Sequence, residues 1–187
     1  PVIGLGYSFK MLTGDIPNQK YIWYQKHMAH HIFTYSDLSW TKQVINLFLI
    51  RDPKEVIVSY QKRFSLIDHM QLGYNQQVQI AKTIADFTGE FPIVINAKDV
   101  LLNPKRTLKM LCDLIKINFE EEMLSWPLGK RDSDGVWAPH WYSEVEKTTA
   151  FQPYVQKNII LNSKWRDIYD SCMVDYEFLN SNSIITD

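Results

Sequence analysis

The chain has 187 residues, 45% of them hydrophobic and 22% charged. That suits one globular domain, is too short for two large ones and excludes wholesale disorder. Twenty Lys and Arg against 21 Asp and Glu leave a net charge of -1, which gives no general pull toward nucleic acid or an acidic membrane.

In chain order, residues 1–20 carry the turn signal TGDIPNQ, and YIWYQ at 21–25 is rich in β-branched and aromatic residues and reads as a strand. HMAHHIF and SDLSW read as short helical or loop pieces. VINLFLI at 44–50 is nearly all apolar, as expected of a strand buried on both faces of a parallel sheet. Asp52-Pro53-Lys54-Glu55 is a helix start, with Asp52 as N-cap, Pro53 at N1 and Glu55 reaching back as in a capping box. The next helix shows Val78, Ala81, Ile84 and Ala85 at helical spacing and ends at Gly89. FPIVIN at 91–96 is another short strand. AKDVLL stops at Asn103-Pro104, and Pro104 opens the helix KRTLKMLCDLIKI.

Beyond an irregular stretch around WPLGKRDSDGVWAPHW, YSEVEKTTAF reads as a polar helix. Residues 159–179 read as a last helix with Trp165, Ile168, Cys172 and Tyr176 on its inner stripe, and 180–187 as a frayed end. Strands alternating with helices define an α/β domain over residues 1–187 with a mostly parallel sheet. Ligands in such sheets sit at the carboxyl ends of the strands.

Cys112 and Cys172 are far apart and form no CxxC, which fits a reducing, cytoplasmic setting. The longest apolar run, LFLI, is four residues, far below a membrane span. Gly4-Leu5-Gly6 is half of a dinucleotide fingerprint, with Phe9 at its third glycine position; no GxxxxGK[ST] and no GxSxG occur.

Three constellations carry chemistry. Lys26-His27-Met28-Ala29-His30-His31 holds three of the five histidines. His27 and His31 have the spacing of a helical zinc pair, but Met28 stands where a zincin needs its general-base Glu, so no metal is assigned. Just past a strand, a histidine can take a proton from an attacking hydroxyl. Arg51 ends a strand beside a helix N-terminus, which suits a phosphate or sulfate oxygen, and Ser59 lies two turns on. The competing reading of Arg51 is a pair with a nearby Asp or Glu. Lys130-Arg131, an acidic turn, and Gly135-Val136-Trp137 form a candidate flap over a nucleotide.

Together these blocks resemble the sulfotransferase family, P-loop-type enzymes that use 3′-phosphoadenosine 5′-phosphosulfate and have a three-layer α/β fold. Arg51 and Ser59 match its strand-end arginine and the serine eight residues later that bind the donor's 3′-phosphate. Lys130, Arg131, Gly135 and Trp137 match a basic pair followed by G-x-W. His27 in QKHM is the nearest counterpart of the catalytic histidine in K-x-H-L, with Gln25 at the lysine position and Lys26 beside it. NAKDVLLNP resembles Y-E-D-L-x-x-x-P, with Asp99 at the acidic place. More specifically, the chain resembles a bacterial sulfotransferase-like group with WYQKHMAHH, FLIRDP and DGVWAPHWY blocks, over roughly residues 10–154.

The resemblance implies sulfuryl transfer to a small-molecule hydroxyl or amine acceptor, with His27 as base, Lys26 assisting, and no metal, nucleic acid or membrane required. The family's glycine- and serine-rich phosphate loop does not occur in these residues, and the chain starts at Pro1. The expectation is therefore a domain without its first strand and P-loop, inactive as it stands. Asp132 also departs from the family pattern, which has glycine there. Two alternatives remain open at this point: a P-loop kinase or phosphotransferase, with Asp52 as the magnesium carboxylate, and a non-catalytic relative.

Overall fold

The computed structural model describes residues 12–16, 20–32, 36–131 and 142–184. The regular elements, in chain order, are β1 (Leu47–Ile50), α1 (Pro53–Gln61), α2 (Tyr74–Thr88), β2 (Ile93–Asn96), α3 (Ala97–Leu102), α4 (Pro104–Ile115) and α5 (Arg166–Asn180). The chain divides into two compact units. The first comprises residues up to Ile95 together with Ile159–Ile184, and the second is built on Asn96–Asn158.

In the first unit, β1 and β2 are hydrogen-bonded neighbours in a two-stranded parallel sheet, so the α/β class holds. Phe48 and Ile50 alternate onto one face of β1 and join Val78 and Ala81 of α2, Val94 of β2 and Leu179 of α5 in the core. Leu49, on the other face, is 59% exposed. The expectation of a strand covered on both faces therefore fails for β1 among the described residues. YIWYQ is also not a strand. Residues 21–28 run as coil with Tyr21 97% exposed; β-propensity describes fit to a neighbour, and no ladder partner is present among the described residues.

Local signals place the helices. Asp52 caps α1, its Oδ1 accepting from the Lys54 backbone at 2.7 Å, and Pro53 at N1 is buried with Ile57. α2 buries Tyr74, Val78, Ile80, Ala81 and Ile84. It ends where Gly89, at φ +78°, donates its N–H to Ala85 at 2.8 Å, a conformation that suits glycine. In α5 the inner stripe is Cys172 and Leu179, both fully buried, with Ile168 and Tyr176 half-buried. Phe91 packs edge-on against Phe178 at 5.9 Å, and Tyr74 against Tyr176 at 6.4 Å. The expected frayed end gives way at residues 180–184. α5 runs to Asn180, and Ser183 forms a parallel bridge with Val94, because the Ile184 N–H reaches the Val94 carbonyl at 2.8 Å.

In the second unit, Asn96 caps α3 by accepting from Lys98, and Asn103 caps α4 by accepting from Arg106, with Pro104 at N1. The hydroxyl of buried Thr107 donates to the Asp99 carbonyl at 3.1 Å, fastening the two helices. YSEVEKTTAF does not form the expected helix. One 3-10 turn spans Val145–Lys147, after which Thr148 donates its hydroxyl to the Val145 carbonyl and accepts from the Trp126 indole. Ala150 then bridges Ser125 in antiparallel fashion, and Phe151 packs edge-on against Trp126 at 5.2 Å.

Truncating Leu179 at the centre of the first unit tests this core. Leu179→Ala should cost about 2–5 kcal/mol in denaturant unfolding. Val174→Ala, on the exposed side of α5, should stay within about 0.5 kcal/mol.

Candidate functional site

The junction of β1 and α1 presents Arg51. Its backbone carbonyl accepts from the Tyr74 hydroxyl at 2.7 Å. Tyr74 is only 3% exposed, and burial pushes its phenol well above the ordinary value. The group is therefore a permanent donor at neutral pH. Arg51 itself is exposed and pairs with Glu55 one turn along α1: Nε donates to Glu55 Oε2 at 2.8 Å, and Nη2 binds the same oxygen. The pairing that competed with a ligand-binding arginine is thus present. It also corrects the expected capping box, because the Glu55 carboxylate faces Arg51 and Asp52 alone caps the helix.

Ser59 is exposed near the end of α1. Glu55 and Ser59 lie four apart along one row of the α1 surface, and Arg51, two residues before the helix, reaches forward to Glu55. Glu55 lies between the two residues expected to share a phosphate. Asp52, the magnesium candidate of the kinase alternative, spends its carboxylate on the cap.

His27 lies in the coil that precedes a 3-10 turn at Ala29–His31, so the register of a helical His27–His31 pair does not exist. Among the described residues no cluster of three or more His, Cys, Asp or Glu could hold a metal ion. The His27 ring packs 5.6 Å from the Trp40 ring, and its Nε2 lies 3.2 Å from Gln25 Oε1. The residue as a whole stays exposed, but the water lost from its ring holds the imidazole below the ordinary histidine value of 6.5. Lys26, beside it, is exposed.

Lys130, exposed, and Arg131, half-buried, belong to the second unit. Gly129 before them, at φ +92°, donates its N–H to the Glu146 carbonyl at 2.9 Å. Gly135 and Trp137, with Asp132 between them and the basic pair, lie outside the described residues. Asp99 sits in the first turn of α3, where burial raises its carboxyl against the opposing pull of Lys98.

Two features had no sequence signal of their own. Tyr74 reads as one more aromatic at a helix start, and only the fold brings it to Arg51. A groove of about 290 Å³ in the first unit is lined by Lys54, Asn162, Arg166 and Tyr169 among others. There the Lys54 ammonium stands 5.2 Å over the Tyr169 ring, joining the starts of α1 and α5, which are far apart in sequence.

The structure defines an α/β protein with a parallel sheet and an arginine at the carboxyl end of a strand, beside a helix N-terminus. The sulfotransferase domain family matches residues 11–182, and the chain belongs to that family. It is 32% identical over 137 residues to branched-chain-amino-acid aminotransferase-like protein 2 of Arabidopsis thaliana, covering 72% of this chain and 24% of that protein. It is 36% identical over 106 residues to branched-chain-amino-acid aminotransferase-like protein 1 of the same plant, covering 57% of this chain and 19% of that protein. The match thus spans about a quarter or less of these curated relatives. Among solved structures, the sulfotransferase domain from the curacin biosynthetic pathway shares 19% identity at a TM-score of 0.41, covering 68% of this chain and 52% of that one. No helix among the described residues is long and apolar enough to cross a membrane.

The lowered value of His27 has a defined consequence for stability. The unfolded chain binds a proton at about 6.5 and the folded chain only at lower pH, so stability falls as pH drops below about 6.5 toward the folded value. His30, lowered by burial and by neighbouring His31, adds to the same trend. Chemical denaturation from pH 7.5 to 5 should show this decline, and a double variant His27→Gln, His30→Gln should flatten it.

Proposed function

We propose that the chain supplies the base and the 3′-phosphate contacts for sulfuryl transfer from 3′-phosphoadenosine 5′-phosphosulfate to a hydroxyl or amine on a small acceptor, in the cytoplasm; turnover would also need the family's glycine- and serine-rich phosphate loop, which residues 1–187 do not contain. The observation that carries this reading is Arg51, at the carboxyl end of β1 and the start of α1, in a member of the sulfotransferase domain family. The aminotransferase-like wording in the plant relatives' names is not carried over, because the match covers at most 24% of those proteins.

In this reading Arg51 and Ser59 bind the donor's 3′-phosphate. Lys130 and Arg131, with Gly135 and Trp137, supply further phosphate contacts and a wall for the nucleotide. His27 takes the acceptor's proton, and Lys26 offsets charge that builds on the donor as the bond to sulfur breaks. The donor's leaving group is an acidic phosphate, so the reaction as proposed needs no metal.

The fit of Arg51 to an anion is favoured by the way it holds Glu55. One edge of the guanidinium, Nε and Nη2, meets a single carboxylate oxygen. The opposite edge, Nη1 and Nη2, remains oriented for a second bidentate partner. Glu55 then acts as a brace that keeps Arg51 extended along α1.

Calorimetric titration with adenosine 3′,5′-bisphosphate tests the reading. Saturable binding is expected, and Arg51→Ala should weaken it roughly ten- to hundredfold, the worth of a charge-assisted contact. Lys109→Ala, an exposed lysine of α4, should leave it unchanged. A folded protein that does not bind, or that loses equal affinity from both substitutions, overturns the proposal.

A further inference from the structure

Gln25 is held at both ends of its amide. Its Nε2 donates to the Leu12 carbonyl at 2.8 Å, and its Oε1 lies 3.2 Å from His27 Nε2. A backbone carbonyl only accepts, so the amide nitrogen must face Leu12 and the amide oxygen must face the histidine. That oxygen also only accepts. A hydrogen bond between it and His27 therefore requires the hydrogen to sit on Nε2. The ring is additionally fixed by its packing on Trp40. Among the described residues nothing hydrogen-bonds Nδ1 of His27.

We propose that Gln25 is a positioning residue that holds neutral His27 as the Nε2–H tautomer, leaving Nδ1 as the atom that takes the acceptor's proton. The inference deepens the proposed transfer and rests on His27 as its base. In the step, the acceptor's O–H or N–H bond breaks and its proton goes to Nδ1. The acceptor's electron pair forms the new bond to sulfur. The bond from sulfur to the donor's phosphate oxygen breaks, and that electron pair leaves on the phosphate. The imidazolium so formed keeps its Nε2–H on Gln25 Oε1, an acceptor already aimed at the charge that appears. The proton passes to solvent when product departs.

Substitutions at residue 25 separate tautomer control from simple support of the coil. Glutamate keeps the acceptor toward Nε2 but loses the donor toward Leu12. Lysine offers donors only, so a bond to it requires Nε2 to accept and drives the ring hydrogen to Nδ1.

The experiment is nitrogen-15 NMR of the histidine rings in the full chain, above the pH of imidazole titration. The His27 signals are assigned by their loss in His27→Gln. Expected are an Nε2–H and a lone-pair Nδ1 in the unsubstituted protein and in Gln25→Glu, with the hydrogen moved to Nδ1 in Gln25→Lys. A hydrogen on Nδ1 in the unsubstituted protein overturns the proposal. So does a folded Gln25→Lys protein whose tautomer does not move. If Gln25→Lys fails to fold, loss of the Nε2–H preference in folded Gln25→Glu overturns it equally. The reading needs neither donor nor acceptor, so failure of bisphosphate binding would sink the proposed reaction without touching the tautomer result.

Discussion

One hydrogen bond ties the candidate site to the core: the buried Tyr74 hydroxyl on the Arg51 carbonyl. A phenol taken out of water must find an acceptor, and an unmade bond there would cost about 1–3 kcal/mol. The carbonyl at the end of β1 is within reach because α2 starts beside the β1–α1 junction. The same Tyr74 ring packs edge-on against Tyr176 of α5. A single side chain therefore fixes the carboxyl end of β1, the start of α2 and the flank of α5 with respect to one another. The backbone from which Arg51 projects is set by the core, while its side chain stays at the surface.

The His27 region is organised on a different principle. It has no strand partner and no α-helix among the described residues, and its neighbouring aromatics Tyr21 and Tyr24 are exposed. What order it has comes from side chains: Gln25 on the Leu12 carbonyl, His27 on Gln25 and on Trp40. Such contacts depend on donor and acceptor matching more than on buried area. Polar substitutions in this segment therefore act on ring orientation and protonation before they act on stability.

This contrast explains what the sequence made legible. The caps at Asp52 and Gly89 and the break at Asn103-Pro104 were readable because each is decided by bonds spanning a few residues. The stripes of α2 and α5 were readable because both helices turn apolar residues into the core they share with β1 and β2. At Glu55 the capping box and the pair with Arg51 draw on the same carboxylate, and spacing alone does not rank them. The segment 21–25 has strand propensity but runs as coil, because that propensity is a statement about neighbours. YSEVEKTTAF failed as a helix because Thr148 finds better partners in Val145 and Trp126. Motif spacing singles out Arg51 and His27 as candidates, but the contacts of Tyr74 with Arg51 and of Gln25 with His27 are ones that spacing does not encode.

The Arg51–Glu55 pair admits two opposite interpretations, and guanidinium geometry bears on both. Were Glu55 a competitor, it would occupy the edge that a phosphate needs, and binding would first have to break an ion pair. The bonds instead run from Nε and Nη2 to a single oxygen, leaving the other edge of the fork intact. A pair whose arginine is exposed and whose carboxylate is half-buried contributes on the order of 1 kcal/mol, too little to bar a dianion but enough to bias the rotamers of a long side chain. Glu55 also sits one turn before Ser59 on α1, with Arg51 ahead of the helix start, so in the proposed site its negative charge limits how close an anion approaches α1. In the proposed site, the phosphate that fits bridges from the Nη1–Nη2 edge of Arg51 outward and does not lie flat on the helix.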